Sequence, residues 1–395
     1  MIKKFRLSFL SIPIIALFIS CSDSPTSVGE NIIPDQDKIK FAQYDSFTED
    51  TPQQSYSYQA KLKLGVGEKV LLGKTSYGES SLLYKYWIYM DDTLLTRVMN
   101  NELIVKSATM EMKTSYKFGE SSAPFDFAVH QVRNAWTEDG FDADSLKNLQ
   151  YDASDVSFNK SITDTLIKFD INPSVITEWL KAKKDSNLTR NYGILLKPKS
   201  GTNRMIGFDA VYTDGSSDNI VLNFIVERAA VNYVDTVYAA PFWDVHVLEG
   251  SKPTSENHFF LQGSLGIRSM LSFDISNLPK NIILNKAILE LNVDPTKTND
   301  GTPASDSIIV QTFGDSITYK LTSDSLYYVY MGRTGNVYSG DIAWMVQKWI
   351  KGDANQGLML ALPDEYYSAA RIAIYNSKET NKALRPRLKI TYTIK

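Results

Sequence analysis

"NKAILELNV", residues 285–293, carries the plainest statement of fold class in the chain. Ala287, Leu289 and Leu291 alternate with Ile288, Glu290 and Asn292, a period of two that sends one set of side chains to each face of a strand. "KSATMEMKT", residues 106–114, repeats the pattern, with Ala108, Met110 and Met112 set against Thr109, Glu111 and Lys113. Both read as half-buried strands. Toward either end from these two strands, the same landmarks recur in the same order. Asp45 precedes Gly73 of "VLLGKTSYGESSLLYKYW" by the same 28 positions that separate Asp235 from Gly263 of "FFLQGSLGIRSMLSFDI". Each half then carries one short helix. In "FDINPSVITEWLKAKK", Asn172 is placed as a cap and Pro173 at the first helical position, with Ile176, Trp179 and Leu180 on one face. In "SGDIAWMVQKWIKG", residues 339–352, Ile342, Met345, Val346 and Trp349 fall at helical spacing between a capping Asp341 and a terminating Gly352. There follow "YGILLKP" and "QGLMLALP", Arg204 in "RMIGFDA" and Arg371 in "RIAIYNS", and the closing strands "IVLNFIVE" and "RLKITYTIK". The shared order identifies a tandem repeat.

The expected architecture is all-β: two tandem jelly-roll-like antiparallel β-sandwiches, each with one short Trp-bearing capping helix. With 43% hydrophobic and 12% aromatic residues, a chain of 395 has enough apolar material for two packed cores. Trp179 and Trp349 read as plugs over one end of each core, and Trp136 of "AWTEDG" as a further structural residue.

The N-terminus sets Lys3, Lys4 and Arg6 before an apolar run that stops at Cys21, the only cysteine. Residues 1–20 read as an export signal and Cys21 as the acylated residue of a bacterial lipoprotein, so acyl chains would hold the protein on the membrane. Residues 21–40, polar and broken by Pro25, Gly29 and Pro34, read as a flexible tether. The first sandwich is then expected over 41–228 and the second over 229–395. No disulfide is possible within the chain. Without Lys3, Lys4 and Arg6, 39 of the 42 basic residues remain against 45 acidic ones, a formal charge of −6. With no long basic run, nucleic acid is excluded as the expected partner.

The second half carries a fuller pattern: Asp341, Ile342, Val346, Trp349, Gly357, Leu358, Arg385, Pro386, Arg387, Leu388, Ile390 and Tyr392. Together these resemble the DNRLRE-type domain, grouped with carbohydrate-binding module family 96. The resemblance covers residues 240–395 and, more loosely, 60–226. The first half keeps "AWTEDG" but has "DNIV" where the second has "RPRL". The resemblance implies a jelly-roll-like sandwich and carbohydrate binding. "CSDSPTSVG" followed by "IIPD" also resembles the start of surface lipoproteins of the Bacteroidetes group.

The catalytic inventory is thin. His130, His246 and His258 are the only histidines, and none stands in HExxH or a nucleophile-plus-base spacing. No GxSxG, Walker or GxGxxG motif occurs in a strand-to-helix context. The expectation is a non-enzyme. Structural calcium is the one cofactor considered, at Asp294, Asn299, Asp300 and Asp306 of "VDPTKTNDGTPASD" or at Asp209, Asp214 and Asp218 of "FDAVYTDGSSDN", since hard cations take several oxygens from such loops. Sugar binding needs a flat aromatic beside polar groups. Tyr327, Tyr328, Tyr366, Tyr367 and Trp243 are the candidates. The expected function is non-catalytic binding of polysaccharide or cell-envelope glycan by an exported protein anchored to the bacterial cell envelope at the outer membrane; a scaffold for a cell-surface protein partner is the alternative.

Overall fold

Alternation survives into three dimensions: Ala108, Met110 and Met112 are buried in one core and Ala287, Leu289 and Leu291 in another. The computed structural model describes residues 40–211, 219–322 and 327–394. The expected export signal, Cys21 and the expected tether up to residue 39 lie outside these, as do Asp214 and Asp218. The chain is all-β, built on two large antiparallel sheets.

In the first sheet the spatial order is Met205–Asp209, Lys69–Thr75, Gly78–Ile88, Tyr233–Glu249, Ile220–Arg228, Ile104–Phe118, Leu166–Ile171 and Ser157–Ile162. Met205–Asp209 pairs with Ile104–Phe118 as well as with Lys69–Thr75, so the sheet closes around a core that includes Leu72, Tyr84, Phe169, Trp179 and Phe224. The second sheet runs Lys40–Asp45, Arg387–Ile394, Ile282–Asn292, Val337–Asp341, Val329–Thr334, Ser307–Asp315, Leu358–Ala361, Ile267–Phe273, His258–Gln262 and Arg371–Tyr375. A bridge from Val293, just past Ile282–Asn292, to Ile374 of Arg371–Tyr375, the last strand in that order, folds the sheet back over a second core.

The two repeats exchange their leading strands. Lys40–Asp45 opens the first repeat yet pairs with Arg387–Ile394, the last strand of the second, and Asp45 receives an Arg387 guanidinium. Gln53–Gln59 likewise pairs with Ile267–Phe273. Reciprocally, Tyr233–Glu249 opens the second repeat and pairs with Ile220–Arg228 and Gly78–Ile88 of the first. The expected division at 228/229 therefore separates the two halves in sequence but cuts through both sheets in space. Strands this far apart in the chain pair because each supplies the edge that the other sandwich lacks.

Short helices lie against the sheets. Helix α1 (Asp92–Met99) packs on α3 (Pro173–Lys181), and α2 (Ala143–Lys147) lies on the outer side of Tyr233–Glu249. Asn172 caps α3 through Ser174 N–H as the sequence implies, and Trp179 is buried in the first core. In α4 (Ala343–Ile350) Asp341 stands one residue too early to cap by itself. Its Oδ1 accepts from both Ala343 N (2.9 Å) and Ala287 N (3.1 Å), tying the helix start to the neighbouring strand. Ile342, Met345 and Val346 fill the second core, while Trp349 stays half-buried, so its role as a plug is the smaller one.

The sandwiches are locked together. Leu71, Tyr116, Phe118 and Leu248 of the first sheet pack against Phe260, Leu265, Ile267 and Ala373 of the second. Lys117 and Thr302 exchange both backbone hydrogen bonds (2.9 and 2.7 Å), and Ala369 N–H donates to the Tyr116 hydroxyl at 3.2 Å. The Arg371 guanidinium covers the Tyr77 ring at 4.2 Å.

Candidate functional site

Strand Gly78–Ile88 has two very different faces. Tyr84, Tyr86 and Ile88 point into the core, whereas Lys85 and Trp87, and Tyr89 just beyond, point out. Near residue 83 the outer face is covered by Trp136, Phe141, Leu146 and Leu149. Beyond Lys85 this cover ends. Trp87 is 63% exposed, Tyr89 80% and Phe242 43%. A bulge between Pro241 and Trp243 turns Phe242 outward beside Trp87, with ring centroids 6.1 Å apart.

Trp243, expected as a ligand platform, sits one step inward. It lies 4.9 Å from Phe242 and 5.9 Å from Trp136, and Lys85 Nζ caps its ring at 4.1 Å. Trp136 is buried and donates its indole N–H to Tyr192 O at 2.7 Å, a structural role. Trp87 and Phe242 are therefore the free walls, and Trp243 supports them.

Behind Trp87 the surface dips into a groove of about 410 Å³, within the range of small-molecule sites. Its floor is Trp179 and Ala182 at the end of α3, and its polar rim is Lys85, Lys183, Arg190 and Asn191. Burial lowers the pKa of Lys85 and Lys183. Lys183 donates to Ile88 O, and none of the three cations is in an ion pair among the described residues, although the chain as a whole is acidic. Partly desolvated ammonium groups without a counter-ion gain from an arriving anion. Asn191 shapes the loop instead. Its Nδ2 donates to Tyr86 O and its Oδ1 accepts from Gly193 N, both at 2.9 Å.

The remaining candidates scatter. Tyr327 is exposed and meets Trp344 edge-on at 6.2 Å, and Tyr328 meets Tyr330 edge-on at 5.0 Å, forming a second aromatic surface on the other sandwich. Tyr366 is half-buried against the Leu62 and Leu64 cluster, and Tyr367 lies beside Gly67 in the link between sheets. These two belong to the junction. Sequence reasoning misses Lys85, Trp87, Tyr89 and Phe242. The signal is present in "YKYWIYM", whose two phases are both rich in aromatics, so only Lys85 marks the outward phase.

The loop considered for calcium makes contacts within the protein. Asp294 Oδ1 accepts from Thr296, Asn299 Oδ1 accepts from Gly301 N, Asp300 pairs with Arg333 at 2.7 Å, and Asp306 O accepts from Arg333 N. Among the described residues no group of three or more His, Cys, Asp or Glu side chains is placed to hold a metal ion. His258 is the histidine nearest to a catalytic arrangement. Its Nδ1 is 3.1 Å from Ser255 Oγ and 3.4 Å from Lys297 Nζ, while Nε2 lies 3.0 Å from Asp294 Oδ2 at an angle too poor for a hydrogen bond. The buried ring clasps two loops. His246 is buried on Ser264 Oγ at 2.9 Å, and His130 holds Asp152 O at the same distance.

No family model, curated protein or solved structure matches this chain.

Proposed function

We propose that this is an exported lipoprotein, anchored through Cys21, that binds polysaccharide or cell-envelope glycan without cleaving it. The observation that carries the reading is the exposed Trp87–Phe242 wall beside an ion-pair-free rim of Lys85, Lys183 and Arg190. A pyranose offers an apolar face to such rings and hydroxyls to the rim, and a carboxylated or sulfated sugar adds charge that the rim complements. The jelly-roll-like reading of each sandwich and the likeness to the DNRLRE-type domain support the same conclusion. No helix among the described residues is long and apolar enough to cross a membrane, and attachment in this proposal rests on the acyl chains.

Affinity electrophoresis of the mature chain from Ser22, through gels carrying acidic or neutral polysaccharides, tests the reading. Retardation by at least one polysaccharide is expected, strongest with an acidic one. Free migration through a broad panel would favour the alternative, a scaffold whose exposed Tyr327, Tyr328 and Tyr330 surface meets a protein partner.

A further inference from the structure

The groove beside Trp87 has a counterpart at the equivalent place in the second sandwich. The first lies where the end of strand Gly78–Ile88 meets the C-terminus of α3, and it is framed by Asn191 and Gly193. The second, of about 530 Å³, lies where the end of strand Ile267–Phe273 meets the C-terminus of α4. The framing is reproduced atom by atom. Asn355 Nδ2 donates to Phe273 O at 2.9 Å, as Asn191 Nδ2 donates to Tyr86 O, and Asn355 Oδ1 accepts from Gly357 N at 3.2 Å. Gly193 and Gly357 hold φ of +87° and +86°. Such a turn keeps the same opening beside the helix in both repeats, because only glycine adopts that backbone freely.

The linings differ. Where the first groove has aromatic walls and cations alone, the second has the half-buried Trp349 amid Asp274, Asp353, Lys280 and Lys351. None of these four charges is in an ion pair among the described residues. Asp353 and Asp274, whose Oδ1 already accepts from Ser276 N at 3.0 Å, offer carboxylate oxygens that accept hydrogen bonds from hydroxyls, two ammonium groups donate, and the net local charge is zero. That set suits an uncharged polyol stacked on an indole and offers nothing special to an anion.

Building on the glycan-binding reading above, we infer that the Trp349 groove is a second sugar-binding site, selective for an uncharged glycan segment, and that one chain grips a polymer at two fixed points. Because the sandwiches are locked through Tyr116, Lys117 and Arg371, the two grooves keep a constant separation, and occupancy of one raises the effective concentration at the other.

The test is binding of the mature chain to an immobilised array of neutral gluco-, manno-, galacto- and xylo-hexasaccharides alongside acidic polysaccharide. Asp353→Ala and Lys280→Ala alter the rim of the second groove, Trp349→Phe alters its floor while keeping bulk, and Trp87→Ala alters the first. The expected result is that the first three variants each weaken a neutral hexasaccharide tenfold or more and leave the acidic polysaccharide bound, with Trp87→Ala doing the reverse. Binding of acidic polysaccharide with no neutral hexasaccharide bound would overturn the inference and leave the first groove standing. Neutral binding lost in Trp87→Ala and kept in the other three would overturn it too. Absence of all glycan binding by the unaltered chain would sink both readings.

Discussion

Asp244 is the most strongly displaced carboxyl in the first core. Burial pushes its pKa up to about 7, opposed by the hydrogen bond its Oδ2 accepts from Val211 N at 2.6 Å and aided by the charge of Glu138. The unfolded chain releases this proton near the ordinary value of about 3.9, so folding loses stability as pH climbs from there to about 7 and no further above it. Asp244→Asn keeps an acceptor for Val211 and removes the ionisation. The variant is expected to be more stable than the parent at pH 8 by on the order of 2–4 kcal/mol, with the two converging at pH 4, as read by denaturant melts. A lower midpoint for the variant at pH 8 would mean that the carboxylate itself is required. A tyrosine stands as neighbour to this site: Tyr84 is fully buried and its hydroxyl pKa is raised by the same desolvation.

Among the strands and helices, glycines decide where backbones may approach. A Cβ on Gly193 would sit 2.0 Å from Tyr84 O with φ at +87°, whereas one on Gly140, at φ +71°, would meet nothing within 4 Å. Gly140→Ala is expected to cost about 1 kcal/mol from backbone strain alone, and Gly193→Ala at least twice that because strand Ile194–Pro198 must also move off Gly78–Ile88. Equal melting temperatures for the two variants would contradict this. The elements themselves are the most legible part of the sequence. Strands around Met110 and Leu289 announce themselves because one face is buried and the other wet, and α3 because Asn172 and Pro173 cap it unaided. Helix α4 is equally legible in its body but not at its start, since the Asp341 carboxylate is shared with Ala287 across the sheet and no local pattern encodes that. The half-buried state of Trp349 is hidden for a similar reason. An apolar helical stripe shows which residues face the protein, and Trp349 lies at the stripe's end, where the core gives way to a groove.

The exchange of strands is a property of the whole molecule, and nothing in the local sequence reveals it. Lys40–Asp45 finds its partner at Arg387–Ile394, at the opposite end of the chain, and an edge strand looks the same whichever sheet it joins. The aromatic wall is hidden likewise, because Trp87 is left bare only by where the Trp136 and Leu149 segment stops covering the sheet. The exchange has a direct consequence. A chain cut between Arg228 and Ala229 yields two fragments, each lacking the strand that completes its own sheet. Neither fragment is expected to be a stable monomer, while the two mixed should reassociate one to one and melt together like the parent. A folded, monomeric 229–395 fragment with the parent's melting temperature would refute the reciprocal pairing.

The proposed binding of glycan on the bare aromatic wall of the first sandwich is tested by a dissociation constant. Affinity electrophoresis in acidic polysaccharide gives it for the mature chain, for Trp87→Ala and for Phe242→Ala. Trp87 is largely exposed, and its truncated variant should melt as the parent does, whereas truncating Phe242, 43% exposed and packed on Trp243, should cost a little stability without unfolding the chain. Each truncation is expected to weaken binding by at least tenfold, in line with the loss of about 1–3 kcal/mol of stacking and buried apolar area. Binding unchanged in both variants, with the fold intact, would place the glycan elsewhere and refute the wall as its site.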